Sequence, residues 1–336
     1  MHSKQLIHAL CSLGQHFTSD DSELAVALRQ AEFQNAWFTQ QELKHALHHW
    51  AKLLTEDQLL QWLNRYPALP VKQPKKVGII MAGNIPLVGF HDLLCVLLSG
   101  HEALVKPSSD DSVLINYIIS YLQKQDASLT YRLQLVERLS GFDAVIATGT
   151  NNTNRYFEYY FREVPHVLRR NRTSVAVLTG NETEAQLKVL GEDLFRYFGL
   201  GCRNVAKLFV PQNFVPDALY EAIFDYGYVS EHNKYVNNHD YYRAIYLMNQ
   251  EKFLDNNFLM LKEETQLHSP VGVLYYERYS SISEVQTRLI ELENELQCVV
   301  AQTGILDNEL PFGQTQQPSL TDYADGVDVM EFLAKI

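Results

Sequence analysis

The stretch Val77-Gly78-Ile79-Ile80-Met81-Ala82-Gly83-Asn84-Ile85-Pro86 decides the fold. A short, nearly unbroken apolar run ends in a glycine, an amide and a proline. Such a run reads as a strand buried on both faces, as in a parallel sheet covered by helices. Ala103-Leu104-Val105-Lys106, Ala144-Val145-Ile146-Ala147-Thr148-Gly149 and Ser174-Val175-Ala176-Val177-Leu178-Thr179-Gly180 repeat the pattern. Helical stretches such as Val113 to Lys124 lie between these runs. The alternation predicts right-handed βαβ units and hence a doubly wound α/β domain. Upstream, residues 1 to about 66 read as helices, with Thr55-Glu56-Asp57-Gln58 as a capping pattern before Leu59, Leu60 and Leu63. The segment 67–76, rich in proline and lysine, reads as a linker. Downstream, runs beginning at Val205, Val271 and Cys298, with a helical stretch from Glu284 to Leu296, predict a second α/β unit. The expected organisation is a helical segment with linker over 1–70, α/β domains over 71–180 and 181–315, and a tail over 316–336.

Composition narrows the class. Of 336 residues, 46% are hydrophobic and 20% charged, which is globular and not disordered. Twenty-eight Lys and Arg stand against 40 Asp and Glu, a formal net charge of −12. That excess argues against nucleic-acid binding, which depends on basic stripes. Cys11, Cys95, Cys202 and Cys298 form neither a CxxC knuckle nor a disulfide framework, so a reducing compartment is expected. No targeting segment is read in the first residues. The apolar stretch from Val77 to Gly100 is interrupted by Asn84, Pro86, His91 and Asp92, so no membrane span and a cytoplasmic location are expected.

Four segments carry candidate chemistry. Asn84 follows a buried strand, at the edge where open α/β sheets bind ligands, and its amide suits a developing oxyanion. The alternative from the same residues is a plain turn in which Asn84 caps the next helix, with Pro86 in its first turn. Lys106-Pro107-Ser108 also follows a strand, so Lys106 either meets a phosphate or ribose or is a solvated turn lysine. Thr148-Gly149-Thr150 offers an anion site at a helix start, or simple capping. Phe198-Gly199-Leu200-Gly201-Cys202-Arg203-Asn204 places a cysteine among glycines beside an arginine, which suits a nucleophile of lowered pKa or a buried structural thiol. It lacks the third glycine of a dinucleotide fingerprint. His45, His48 and His49 have metal-compatible helical spacing but no supporting motif, and a solvated face explains them; no metal is expected.

Taken in order, these segments resemble the aldehyde dehydrogenase superfamily. Asn84-Ile85-Pro86 is similar to its Asn-aromatic-Pro element and Lys106-Pro107-Ser108 to its Lys-Pro-Ser. Thr148-Gly149-Thr150 resembles its Thr-Gly-Ser turn, and Gly199-Leu200-Gly201-Cys202 its Gly-Gln-x-Cys. Ser269-Pro270-Val271 and Pro311-Phe312-Gly313 stand for its Gly-Pro-Val and Pro-Phe-Gly. Within the superfamily the chain resembles the acyl-CoA reductases typified by the fatty acid reductase of bacterial bioluminescence. That resemblance implies an aldehyde-dehydrogenase-like fold, with 71–180 binding the dinucleotide and 181–315 carrying the nucleophile. It implies reduction of an acyl thioester, acyl-CoA or acyl-protein and of long chain, to the aldehyde with NADPH, releasing CoA. Cys202 would carry the acyl group, and Asn84 with the Cys202 N–H would hold the oxyanion. Lys106, Ser108, Gly149, Thr150, Pro270 and Phe312 would bind the cofactor, and Arg169, Arg170 and Arg172 would hold phosphates. An acyl-activating synthetase and a homo-oligomer are the partners it allows. Two departures matter. Hydrolytic members carry a Glu that activates water, whereas Pro165 to Gly180 contains no acid; and Gln266 stands where an acid binds the nicotinamide ribose. Acyl phosphate or acyl adenylate as donor, and an acyltransferase or thioesterase without hydride, are the alternatives.

Overall fold

The computed structural model describes residues 4–149 and 151–336. The chain divides into two compact units, residues 1–171 with 319–336, and residues 172–318.

The first unit opens with α1 (Lys4–His16), α2 (Ser22–Gln34), α3 (Gln40–Leu53) and α4 (Glu56–Leu63). Thr55 caps α4 by accepting from the Gln58 N–H, one half of the expected capping pattern. A parallel sheet follows: β1 (Lys76–Ile80), α5 (Phe90–Ser99), β2 (Glu102–Lys106), α6 (Ser112–Gln125), α7 (Leu129–Arg132), β3 (Leu133–Leu135), β4 (Ala144–Thr148), α8 (Asn151–Phe161) and β5 (His166–Arg169). The strand order is β3-β2-β1-β4-β5, with every pairing parallel. The chain therefore winds outward from β1 to one side and then to the other. The direction reverses between β1 and β4, where the C-terminal strand ends of such sheets form a ligand crevice.

The second unit contains β6 (Thr173–Val177), α9 (Glu184–Phe195), β7 (Val205–Pro211), α10 (Asp217–Ala222), α11 (Asn233–Met248), β8 (Leu254–Asp255), β9 (Met260–Glu263), β10 (Val273–Tyr279), α12 (Ile282–Glu291) and β11 (Leu296–Ala301). Its order is β11-β6-β7-β10-β9-β8, parallel except for the short edge strand β8. The chain then returns to the first unit and ends in α13 (Val329–Lys335), which lies against α5.

The fold is that expected, but the boundaries move. The run Ser174–Gly180 belongs to the second sheet, because β6 pairs β7 and β11. Local hydrophobicity shows that a strand is central but not which sheet it joins. The N-terminal helices and the tail are not separate segments either. Leu10, Leu13, Phe38, Leu59 and Trp62 share one apolar core with Val77, Ile79, Phe90, Leu122, Met330 and Leu333. Burying these side chains stabilises by about 1.5–3 kcal/mol each, which fixes the helices to the sheet. Trp62 Nε1 donates to Tyr323 Oη at 2.8 Å, tying the tail to α4.

Candidate active site

Cys202 lies half-buried in the turn that feeds β7. The sequence builds this turn in steps. The reciprocal capping box of Thr183 and Gln186 starts α9. The helix stops where the backbone turns left-handed at three successive residues, Tyr197 (φ 52°), Phe198 (φ 56°) and Gly199 (φ 77°). Only the glycine adopts that region without cost; for the other two it is a strained conformation of about 1–3 kcal/mol each. Burial holds the strained rings: Tyr197 and Phe198 are 7% and 5% exposed. Phe198 also packs against the His232 ring, tilted by 35° with ring centroids 4.4 Å apart.

Asn204 locks the turn that results. Its Oδ1 accepts from the Gly201 N–H at 2.8 Å, and its Nδ2 donates to the carbonyls of Asp193 (3.1 Å) and Arg196 (2.9 Å). The Cys202 carbonyl accepts from Ser174 Oγ at 3.0 Å, at the start of β6. Ser174 Oγ in turn accepts from the Cys298 N–H at 3.1 Å. Cys202 is thus held at the N-terminal edge of the second sheet.

Two other expected residues reach that edge. Pro270 lies just ahead of β10, which runs parallel to β7, and its carbonyl accepts from the Val273 N–H. Phe312 is buried, and the glycine beside it (Gly313, φ 80°) donates its N–H to Asp193 Oδ2 at 2.6 Å. Thr315 donates its N–H (3.0 Å) and its Oγ1 (2.8 Å) to Asp193 Oδ1. Arg203 also reaches beyond the turn. Its Nη1 donates to Cys298 Sγ at 3.3 Å and to the Thr315 carbonyl at 3.5 Å. Burial pushes the Cys95 thiol well up, and burial with nearby Glu56 raises Cys11, which disfavours the thiolate at both.

In the first unit the expected residues gather at the C-terminal edge of the sheet. Asn84 is exposed in the loop after β1. Pro86 does not begin a helix, as α5 starts only at Phe90. The loop instead turns through Leu87 at φ 59°, whose N–H donates to the buried Asp111 carboxylate at 2.7 Å. Burial pushes the Asp111 pKa well above the usual carboxylate range. Ser108 caps the short turn after β2, accepting from the Asp110 N–H, and packs against Gly83, where any Cβ would come within 2.7 Å of it. Lys106 is half-buried at the end of β2 and forms no ion pair among the described residues. Gly149 ends β4 tightly against α8, a Cβ there falling 2.9 Å from Phe157. Thr150 lies outside the described residues.

The basic run is dispersed. Arg169 is 6% exposed and paired with Asp92, itself 3% exposed, at 2.5 Å. It is a buried structural cation and not a phosphate ligand. Arg170 pairs with Glu158 on the surface, and Arg172 donates to the carbonyls of Glu293 and Leu296. The acid-free stretch has one near neighbour, Glu182. Its carboxylate folds back onto the Thr179 N–H and Oγ1 and the Gly180 N–H. Glu182 follows the C-terminal end of β6, whereas Ser174 holds Cys202 at the other end of that five-residue strand. Such a strand is on the order of 15 Å long. Sequence reasoning missed Asp193, Ser174 and Asp111. Each is a polar residue whose partners are remote in sequence, and only the adjacency of Asn204 to Cys202 was a usable signal.

Two doubly wound α/β sheets, the second with a cysteine turn at its edge, make an aldehyde-dehydrogenase-like fold. Solved structures agree on the fold. An NAD-dependent aldehyde dehydrogenase from Sinorhizobium meliloti is 12% identical with a TM-score of 0.67, covering 94% of this chain and 72% of that one. Aldehyde dehydrogenase 21 from Physcomitrella patens, in complex with succinate, is 12% identical with a TM-score of 0.65, over 90% and 74%. A Mycobacterium tuberculosis aldehyde dehydrogenase complexed with NAD+ is 13% identical with a TM-score of 0.62, over 89% and 73%. The family model for acyl-CoA reductase (LuxC) matches residues 9–183, more than half of the 336 residues, and the chain belongs to that family. The match ends ahead of Cys202. No curated protein sequence matches the chain.

Proposed function

We propose that the protein reduces an acyl thioester, acyl-CoA of long chain, to the aldehyde with NADPH through an acyl group carried on Cys202. The observation that carries this reading is the Cys202 turn. It is half-exposed, pinned on both sides by Asn204 and Ser174, and backed by a strained left-handed segment. A structural thiol has no need of such support.

Cys202 Sγ attacks the thioester carbonyl, and the CoA thiolate leaves as the new thioester forms. Asn84 and the Cys202 N–H are the donors assigned to the oxyanion. Bound NADPH supplies the hydride that turns the thioester into aldehyde and returns Cys202 to the thiolate. Lys106 fits such a cofactor, being a cation at the C-terminal edge of a parallel sheet with no ion pair among the described residues. With Arg169 buried, Lys106 is the residue left to recognise a 2′-phosphate. One charge-assisted contact of about 1.5–3 kcal/mol supports a preference of about ten- to hundredfold for NADPH over NADH. Ser108, Gly149, Thr150, Pro270 and Phe312 complete the proposed cofactor contacts. The first unit then binds the dinucleotide and the second carries the nucleophile. An acyl-activating synthetase would supply the substrate. No helix among the described residues is long and apolar enough to cross a membrane.

The test is a panel of acyl-CoAs, acetyl to palmitoyl, assayed for NADPH and NADH consumption with the native protein and Cys202→Ala. Consumption that requires acyl-CoA and Cys202 is the expected result. CoA release without nucleotide oxidation would make the protein an acyltransferase or thioesterase, and consumption with acyl phosphate or acyl adenylate alone would change the donor.

A further inference from the structure

Asp193 is fully buried near the end of α9, and both of its oxygen-bearing groups are used. Its backbone carbonyl accepts from Asn204 Nδ2, the side chain that locks Gly201 and hence the Cys202 turn. Its carboxylate accepts from the Gly313 N–H, the Thr315 N–H and Thr315 Oγ1. The Thr315 carbonyl then accepts from Arg203, the residue after Cys202. The chain of bonds is closed: the cysteine turn and the segment 313–315 are tied to each other directly through Arg203 and indirectly through Asp193. Gly313 packs so closely on α9 that a Cβ there would meet Val189 at 2.2 Å, so no larger residue fits this position. A buried carboxylate with no cation beside it is a costly way to hold a loop, which points to a demand for placement and not for stability alone.

We propose that Asp193 is a positioning residue that fixes the Phe312–Thr315 segment against the Cys202 turn, so that the acylated sulfur and the cofactor-side segment stay aligned for hydride transfer. This rests on the acyl-Cys202 reading and on Phe312 as a cofactor residue. The two half-reactions separate the consequences. Acylation of Cys202 does not need the Phe312–Thr315 segment, and Asn204 and Ser174 still hold the turn when the Asp193 carboxylate is altered. Hydride transfer needs both segments, and a misplacement of about 1 Å costs on the order of 100-fold.

Asp193→Asn and Thr315→Val are compared with Thr315→Ser, which keeps the hydroxyl donor. Acylation is followed by intact-protein mass spectrometry with acyl-CoA and no nucleotide. Hydride transfer is followed in a single turnover after NADPH is added, and amide hydrogen exchange reports on residues 311–317. Asp193→Asn should acylate within about threefold of the native rate but transfer hydride about ten- to hundredfold more slowly. Exchange should rise at Gly313 and Thr315 and stay unchanged at Gly201. Thr315→Val should show the same split more weakly, with Thr315→Ser close to native. If Asp193→Asn fails to fold, the two Thr315 variants decide the matter. Parallel loss of both half-reactions, or native hydride transfer, would overturn the proposal. Absence of any acyl adduct on native Cys202 would instead overturn the functional reading beneath it.

Discussion

Replacing Asn204 with Ala tests whether the nucleophile's turn is held as described. The side chain is 2% exposed and makes three hydrogen bonds, at 2.8, 3.1 and 2.9 Å. Each contributes about 1 kcal/mol net, and stranding the buried Gly201 N–H costs about 1–3 kcal/mol more than simply losing its bond. The expected destabilisation is about 4–6 kcal/mol, a large share of a typical domain stability of about 5–15 kcal/mol. At ~2–4 °C per kcal/mol for a unit of this size, Tm should fall by about 8–24 °C. Denaturant unfolding gives the free energy, and the rate of Cys202 acylation gives the chemistry, which should fall at least tenfold (~1.4 kcal/mol). Asn204→Asp is the informative companion. Its Oδ1 keeps the Gly201 bond, but the second oxygen now faces two carbonyls in a buried site. Burial and those carbonyls raise this new carboxyl's pKa, so the variant should be most stable at low pH and lose stability as pH rises through that pKa. Native stability and native acylation in Asn204→Ala, or a pH-independent Asn204→Asp, would refute the assigned bonding.

Three further outcomes follow from particular groups. Asp92→Asn or Arg169→Met alone should cost about 3–5 kcal/mol by leaving one partner of a buried pair uncompensated, while the double variant Asp92→Leu/Arg169→Met should recover most of it and neither single change should alter the KM for NADPH; urea unfolding and steady-state kinetics check both halves. Burial raises the Asp193 pKa to about 6 against the three donors that pull it down, so the native state binds its proton more tightly than the unfolded chain with its value of 3.8. The linked stability, about 3 kcal/mol, is present below pH 3.8 and lost as pH rises through about 6, so the gap between the native protein and Asp193→Asn should be wider at pH 4 than at pH 7.5 in denaturant titrations. With no acid from Pro165 to Gly180 and Glu182 bonded to Thr179 and Gly180, acyl-Cys202 should resist water. A positioned base contributes ~10²–10⁴-fold, so aldehyde with NADP⁺ should give at most one turnover until CoA is added; sustained NADPH production without CoA would place a base that the reading lacks.

The sheet strands that sequence reveals are those buried on both faces. Val77–Gly83, Ala103–Lys106 and Ala144–Gly149 are bounded by glycine or a charged residue and apolar throughout, so β1, β2 and β4 were legible. β3 is three residues long, β5 begins with His166 and ends with Arg169, and β9 carries Lys262 and Glu263. Their apolar signal is too short or too broken to separate from a loop, and their pairing with central strands supplies what local composition does not. The tail was ambiguous between strand and helix for a different reason. Five of the seven residues from Val327 to Leu333 are apolar, so the run fits either period, and packing of Val329, Met330 and Leu333 against α5 decides the matter in favour of α13.

The site divides along the same physical line. The turn around Cys202 was legible because backbone needs are local: glycines at 199 and 201 announce a turn, and Gly199 does adopt a left-handed conformation. The residues that hold the turn were invisible because their partners are far away in the chain. Asp193 bonds residues 120 and 122 positions on, and on an amphipathic helix it reads as one more solvated acid. Arg169 misled for the converse reason. In sequence it belongs to a basic run, but Asp92, 77 positions earlier, neutralises it in the interior. A charge in sequence has a sign but no partner, and its partner decides whether it meets a ligand or the fold. Lys106, without an ion pair among the described residues, and Cys202, in a turn fixed by Asn204 and Ser174, are the residues on which the proposed function rests.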